Sequence, residues 1–344
     1  KLLRTTTKVA SMKHYLTKLF ARQSLSEGEA YDAMDLLMGG EASPEEVGAF
    51  LGALRGKGES IDEIVGCAKS LRNHARTLNI KRSDLIDTCG TGGDGANTFN
   101  ISTCNAFVIA AAGLGVCKHG NRSVSSKCGS ADVLEELGVP IDQEPEDVAK
   151  SIDNFGFGFL FAPKFHPAMG QVVPIRKKLG ARTIFNLLGP LVNPAVTKRQ
   201  VIGVYDRTML KPFAHVLSSL GSEEVMLVTG DDGLDEITLT TTTQVAHLKD
   251  GEVSNYSLSP EDLGLSRCKP EDLAGGDRAL NAAILSSVLK GEEKGPKRDI
   301  ILANGAAALL VGGVVSNLKD GVEKVADILD SGAAYELLEK LKRG

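Results

Sequence analysis

The chain contains no tryptophan, and aromatic residues make up only 5% of its 344 positions. Its core must therefore come from aliphatic and small side chains, for which a hydrophobic share of 42% is ample. No apolar run reaches the length of a membrane-spanning helix. Positive charge is not in excess: 39 Lys and Arg face 44 Asp and Glu, the net charge is −5 and the pI is near 5.8. That balance argues against a general nucleic-acid binder. The six cysteines, Cys67, Cys89, Cys104, Cys117, Cys128 and Cys268, include no C-x-x-C pair. A zinc or disulfide framework is thereby excluded, and buried thiols in a reducing compartment are expected. Two nucleotide signatures are missing as well. No Walker string exists, and the glycines after Cys89 break the dinucleotide spacing, with no acidic residue over 107–117 to hold a ribose. A nicotinamide-dependent oxidoreductase is opposed on that ground.

The informative stretch runs from Asp84 to Gly138. Leu85 and Ile86 read as the end of a buried strand, and Gly90, Gly92, Gly93 and Gly95 follow within six residues. Cys104 to Leu114 is small and apolar, which suits a helix packed closely on a sheet. A strand, a glycine loop and a helix N-terminus together make an anion site, because backbone N–H groups converge there and the helix dipole adds positive potential. By itself such a loop is equally a turn without a ligand. The next strand-to-helix passage shifts the balance. After a short strand at Val116 it carries Lys118, Arg122, Lys127 and four serines with few carboxylates, a set suited to phosphate oxygens. Ser130 is predicted to cap a helix over Ala131 to Leu137.

The length predicts two domains. Residues 1–11 are basic and Thr-rich and are expected to be an expression remnant or, as the alternative, the stub of a transit peptide. Four helices are predicted from Met12 to Ala75. Ser26 with Glu29 and Ser60 with Glu63 form capping boxes, and Ser43-Pro44-Glu45-Glu46 is a helix start. His14 and His74 are expected at the surface. Beyond Asn79 an α/β part is predicted. It has a helix over Pro145 to Phe155 and strands over Gly158 to Phe161, Val201 to Tyr205 and Glu224 to Thr229. A helix is expected over Met209 to Leu220, and a Thr-rich β segment over Thr238 to Gly251 with a turn at Lys249-Asp250-Gly251. Helices are expected over Asn281 to Leu289, Ile300 to Val311 and Gly321 to Leu341. The acidic loop at Asp231, Asp232, Asp235 and Glu236 follows a strand end, where open α/β sheets bind ligands. Neighbouring carboxylates there suit Mg²⁺, and the chemistry alone leaves Asp231 and Asp232 as rivals. In Arg176-Lys177-Lys178, a guanidinium can pair with a carboxylate substrate, whereas the bland reading is a solvated helix face.

Several strings carry a resemblance: Gly-Thr-Gly-Gly-Asp at 90–94, Asn-Ile-Ser-Thr at 100–103 and Lys-His-Gly-Asn-Arg-Ser-Val-Ser-Ser at 118–126. Gly-Ser-Ala-Asp-Val-Leu-Glu at 129–135, Asn-Leu-Leu-Gly-Pro-Leu-Val-Asn-Pro at 186–194 and Gly-Leu-Asp-Glu at 233–236 continue it. In this order they resemble the anthranilate phosphoribosyltransferases over nearly the whole chain. The resemblance implies an α/β fold with a small all-helical N-terminal domain over 12–76, joined by about 165–192. A larger α/β domain over 77–164 and 193–344 would hold a central, mostly parallel sheet flanked by helices. It implies transfer of 5-phosphoribosyl from phosphoribosyl pyrophosphate to the amine of anthranilate, with release of pyrophosphate, in tryptophan biosynthesis. It implies further a homodimer formed through the helical domain, no nucleic-acid or membrane partner, and a cytoplasmic location, or a plastid one in a plant.

Carried onto the matching positions, the resemblance implies that Gly90, Gly93 and Asp94 contact the pyrophosphate end. Thr98, Asn100, Ile101, Ser102 and Thr103 would hold phosphate and ribose. So would Lys118, His119, Gly120, Asn121, Arg122, Ser123, Val124, Ser125 and Ser126, with the hydroxyl of Ser130. Gly90, Asn121, His166 and Arg176 would meet the aromatic acid. Ser102, Asp235 and Glu236 would hold two Mg²⁺ ions, the family string selecting the latter pair over Asp231 and Asp232. No general base is implied, since an aryl amine is weakly basic. Cys128 departs from the Ser expected at its place, and a thiol bonds weakly, so Cys128 and Cys89 are expected only to pack. The alternatives are a pyrimidine nucleoside phosphorylase-like enzyme, whose glycine-serine signature is missing, and a non-catalytic nucleic-acid-binding relative. The latter should be basic and lack the acidic pair.

Overall fold

The computed structural model describes residues 11–123 and 127–343. Val124, Ser125 and Ser126, and all of 1–11 except Ser11, lie outside the described residues. The chain divides into two compact units, one holding 1–75 and 166–192, the other 76–165 and 193–344.

The first unit opens with α1 (Met12–Phe20), α2 (Glu27–Gly39), α3 (Pro44–Lys57) and α4 (Ile61–Asn73). Three of the four start on a reciprocal Ser/Glu capping box, Ser26 with Glu29, Ser43 with Glu46 and Ser60 with Glu63. Each box satisfies two N–H groups that a helix start would otherwise leave unpaired. Short helices of this kind need partners, and Tyr15, Leu19, Met34, Leu37, Phe50 and Leu54 supply the shared core. Glu63 does more than cap. It is fully buried, and it accepts from the N–H of Leu25 at 2.9 Å, the N–H of Ser60 at 2.8 Å and the ammonium of Lys57 at 2.9 Å. His14 is exposed near Glu29, while His74 is half-buried and bonded to Asp35 at 2.8 Å.

The second unit holds a seven-stranded sheet. Its first part comprises β1 (Leu85–Gly90), α5 (Ile101–Ala111), β2 (Gly115–Gly120), α6 (Ser130–Glu136), α7 (Pro145–Phe155), β3 (Phe157–Phe161) and the single turn α8 (Ala162–Phe165). The chain then contributes α9 (Val173–Leu179) and α10 (Phe185–Leu188) to the first unit, where they pack on α3 and α4. The second unit resumes with β4 (Arg199–Gly203), α11 (Leu210–Ser219), β5 (Glu224–Gly230), β6 (Thr243–Lys249) and β7 (Glu252–Leu258). Four helices close it: α12 (Arg278–Leu289), α13 (Pro296–Val311), α14 (Leu318–Asp330) and α15 (Ala333–Arg343). The strand order is β3-β2-β1-β4-β5-β6-β7. Its first five strands are parallel, and β6 and β7 are antiparallel. The fold class expected from the sequence, a small helical domain with a larger α/β domain built on a mostly parallel sheet, is the one observed.

Several expected boundaries shift for legible reasons. The helix expected over Cys104 to Leu114 begins at Ile101, one turn earlier, so Ser102 and Thr103 sit in its first turn. Ser130 is not the cap of α6. Gly129 occupies that position, the Asp132 carboxylate accepts from the Gly129 N–H at 2.9 Å, and the Ser130 hydroxyl donates to the Asn121 carbonyl at 3.2 Å. The Thr-rich segment forms a strand only from Thr243, because Thr238 and Thr240 turn back onto the Asp232 carboxylate. Its end is the predicted turn, with Asp250 and Gly251 at φ 51° and 82°. The helix expected over Gly321 to Leu341 is two, interrupted where Gly332 takes φ 75°. Among the described residues no helix is long and apolar enough to cross a membrane.

Candidate active site

Parallel strands β1, β2, β4 and β5 all end at glycine, at Gly90, Gly120, Gly203 and Gly230. Beyond their carboxyl ends lie the glycine loop, residues 121–123 and 127–130, and the acidic loop. The glycine loop has the backbone its composition calls for: Gly92, Gly93, Gly95 and Asn97 take φ of 65°, 77°, 73° and 53°. Only glycine and, among side chains, residues such as Asn enter that region readily. Gly90 and Gly203 are required by a different contact. A Cβ on Gly90 would run into the Asp235 carboxylate, and one on Gly203 would run into the Asp235 backbone. The two strand ends thus make the niche in which the acidic loop lies.

Within that niche the sequence-predicted residues Asp94, Ser102, Lys118, Asp235 and Glu236 come together. The Gly92 N–H donates to Asp235 at 2.8 Å. Burial, and then repulsion from Asp94, hold the Asp235 carboxyl up to about 8. Glu236 is pushed well above the usual carboxylate range, first by burial and next by Asp235, although it accepts from the Ser102 N–H at the start of α5. Lys118 is the nearby cation. It is only 2% exposed, and its ammonium donates to the Thr88 carbonyl at 2.8 Å and the Ser102 hydroxyl at 3.2 Å. Lys118 lies inside the sheet on β2 and faces the carboxylates Asp87 and Glu236. The rivals Asp231 and Asp232 are committed elsewhere. Asp231 meets Gln244 at 3.1 Å, and Asp232 accepts from Thr238 at 2.7 Å and from Thr240. Asp235 and Glu236, crowded and underneutralised, are the pair that could hold a divalent cation. Among the described residues no three His, Cys, Asp or Glu side chains form a complete cage, so water and ligand oxygens would complete any coordination.

The remaining predicted residues are spread more widely. Thr98 pairs in an isolated bridge with Ala274, Thr103 is buried, and the Ile101 N–H donates to the Phe99 carbonyl at 2.8 Å. The Asn100 amide donates to the Cys128 carbonyl at 3.1 Å. The His119 N–H donates to Asp87 at 3.2 Å, and the Asn121 side chain accepts from the Arg122 N–H at 2.7 Å. A Cβ on Gly120 would meet the Ser130 hydroxyl. Arg122 grips Asp132 at 3.0 Å and Glu135 at 2.8 Å, and the Ser123 N–H donates to Asp132 at 3.0 Å. Cys128 is buried, and its carbonyl rather than its thiol carries the contact that matters.

In the first unit, His166 is buried, and burial pulls its imidazole down to about 4, so it is neutral at pH 7. Arg176 is partly buried with its guanidinium over the Phe185 ring at 5.1 Å, whereas Lys177 and Lys178 are exposed. The solvated-face reading holds for the lysines and fails for the arginine. Sequence reasoning missed Asp87 and Asn193. Asp87 is buried beneath the loop and accepts from the Asn193 amide at 2.8 Å. The legible signal was an acidic residue two positions into a buried strand.

The chain matches the helical bundle domain of the glycosyl transferase family over 13–75 and the a/b domain of that family over 82–335. It is 51% identical over 330 residues to an anthranilate phosphoribosyltransferase of a Thermoanaerobacter species, covering 96% of this chain and 97% of the relative. The crystal structure of the anthranilate phosphoribosyltransferase from Thermus thermophilus superposes with a TM-score of 0.90 at 44% identity, over 96% of this chain and 99% of the other. The Saccharomyces cerevisiae enzyme, solved in complex with PRPP and Mg, superposes with a TM-score of 0.89 at 31% identity, over 97% and 98% of the two chains. With identity of this order over nearly its full length, and with the glycine loop, basic turn and acidic pair set on one sheet edge, the chain belongs to the anthranilate phosphoribosyltransferase family.

Proposed function

We propose that the chain transfers the 5-phosphoribosyl group of phosphoribosyl pyrophosphate to the amine of anthranilate and releases pyrophosphate, a step of tryptophan biosynthesis. The observation that carries the reading is the gathering of Asp94, Ser102, Lys118, Asp235 and Glu236 at the carboxyl end of the parallel strands, beside two donor-rich turns. In the reaction the C1–O bond to pyrophosphate breaks, the amine nitrogen bonds to C1, and the amine loses a proton. The glycine loop and the 118–123 segment hold the pyrophosphate and the phosphate, and Thr98, Ser102, Thr103 and Ser130 lend hydroxyls. Catalysis then rests on positioning and on charge stabilisation where negative charge develops. We assign no general base.

The oxygen-only donor set of Ser102, Asp235 and Glu236 fits Mg²⁺, a hard cation that takes carboxylate, water and phosphate oxygens. Burial and mutual repulsion disfavour these carboxylates until a cation neutralises them. Ser102, Asp235 and Glu236 would hold two Mg²⁺ ions per subunit, with Asp94 acting through water. Bound Mg²⁺ supplies positive charge to the departing pyrophosphate. Gly90, Asn121, His166 and Arg176 contact anthranilate, with Arg176 on the carboxylate and the neutral His166 as a hydrogen-bonding wall. The decisive experiment follows anthranilate fluorescence on adding phosphoribosyl pyrophosphate with Mg²⁺. The signal falls if the reading is right and stays constant when EDTA is added before mixing. A steady signal would favour a nucleoside phosphorylase or a non-catalytic relative.

Arg176→Ala should raise the KM for anthranilate by roughly 10- to 100-fold, the loss of a charge-assisted hydrogen bond. The KM for the phosphoribosyl donor should stay within about twofold. Equal rises in both would remove Arg176 from the acid's site. We further propose a homodimer through the helical unit, where Phe20 on α1 is 66% exposed and Leu179 on α9 is 40% exposed. Sedimentation at micromolar concentration should give twice the chain mass, and a monomer would refute it.

A further inference from the structure

We infer that Arg278 and Asn281, at the start of α12, are positioning residues that brace both donor-binding turns; the inference rests on the functional reading above. The segment before α12 lies along the first turn. The Phe99 N–H donates to the Leu273 carbonyl at 3.2 Å, the Gly275 N–H to the Asn97 carbonyl at 3.0 Å, and Thr98 bridges Ala274. Gly275 sits so close that a Cβ there would meet the Phe99 backbone at 2.7 Å.

Asn281 extends this brace to the second turn. It is 2% exposed. Its carbonyl oxygen accepts from the Gly276 N–H at 2.8 Å, and its amide nitrogen donates to the Asn100 side-chain oxygen at 2.9 Å. The Asn100 amide nitrogen then donates to the Cys128 carbonyl at 3.1 Å. The orientation is forced from both ends. A backbone N–H can only donate and a backbone carbonyl can only accept, so both amides must point the way they do. The chain of three bonds ties α12 to the start of α5 and to the turn beyond β2.

Arg278 acts on the neck of the second turn. Asp132 is buried and receives three hydrogen bonds, from the N–H groups of Ser123 at 3.0 Å and Gly129 at 2.9 Å and from Arg122 at 3.0 Å, while Arg278 forms an ion pair with it at 3.1 Å. Glu135 takes both guanidinia as well, Arg122 at 2.8 Å and Arg278 at 3.2 Å. A Cβ on Gly129 would collide with the Ser123 N–H, so the two sides of the neck touch. Two arginines thus face two carboxylates. When Arg122 turns to a donor phosphate, Arg278 stays on Asp132. The carboxylate keeps a counter-charge, and its hold on Ser123 and Gly129 persists. Arg278 is what leaves Arg122 free to bind.

The test compares the full chain with Arg278→Met, Arg278→Lys and Asn281→Asp by two measurements: steady-state kinetics in both substrates, and amide hydrogen exchange at Ser123 and Gly129 without substrate. Arg278→Met should raise the donor KM roughly tenfold, the weight of one charge-assisted hydrogen bond, with the anthranilate KM unchanged. Exchange at both amides should quicken by a similar factor, and Arg278→Lys should recover part of each effect. Arg278 is half-exposed, so its variants keep the fold, which a melting curve verifies. Asn281→Asp keeps the bond to Gly276, loses the donor to Asn100 and should raise the donor KM in the same way. Parental exchange rates and a parental donor KM in Arg278→Met would overturn the brace. Should the parent chain itself not use the donor, the functional reading falls and the exchange measurement still decides the brace.

Discussion

Replacing Asp235 with Asn and Glu236 with Gln together should lower kcat by roughly 10³-fold, because metal-assisted stabilisation of a leaving group contributes several kcal/mol. The same double variant should be more heat-stable than the parent in Mg²⁺-free buffer at pH 8. The reason lies in the direction of the shifts. Burial is the first cause for both carboxyls, followed by repulsion from Asp94 for Asp235 and from Asp235 for Glu236, and each is held above its ordinary range. An acid whose pKa is higher in the folded chain than in the unfolded one costs stability above its unfolded value. For Asp235 the cost grows from about pH 4 until pH passes about 8. Neutral isosteres remove it. The gain in melting temperature should therefore be greatest near pH 8, shrink toward pH 5, and vanish when saturating Mg²⁺ stabilises the parent by binding. Near-parental turnover in Mg²⁺ would reject the metal assignment. A lower melting temperature at pH 8 would reject the account of crowded charge.

That trade of stability for function explains which parts of the molecule were readable in advance. The helix starts at Ser26, Ser43 and Ser60 obey local rules, and all three capping boxes form. The glycine loop was legible because positive φ and close backbone approach leave few residue choices. Ser130 was misread as a cap because the helix starts one residue earlier, with Gly129 in the cap position and its N–H bound by the Asp132 carboxylate. The burial of Lys118 was not legible in its basic, serine-rich string, since it comes from the pairing of β2 between β1 and β3. Arg278 and Asn281 left no local signal, since their partners Asp132 and Asn100 are far away in sequence. The break at Ser331–Gly332 needed only more weight on one glycine.

Lys118→Met should destabilise the chain by about 3–5 kcal/mol, the usual consequence of removing one member of a buried charge pair, and should abolish turnover. Burial is the largest influence on both partners: it lowers the Lys118 ammonium and raises the Asp87 carboxyl, and their mutual attraction only offsets it. The pair is therefore not a net source of stability, and its loss is felt through the group left behind. With Lys118 gone, Asp87 keeps the His119 N–H and the Asn193 amide but no cation. Its carboxyl then titrates higher still in the folded chain than in the unfolded one, so the damage should grow as pH rises from 5 to 8. Asp87→Asn in the same chain should restore most of the melting temperature and flatten its pH dependence, because an amide needs no counter-charge. It should not restore turnover. The ammonium is also the cation that donates to Ser102 and faces Glu236, and methionine can do neither. Recovery of stability without activity would separate the two duties of Lys118, holding the strand end together and setting the charge of the donor site. A double variant as unstable as Lys118→Met would show that the stranded carboxylate was not the cause.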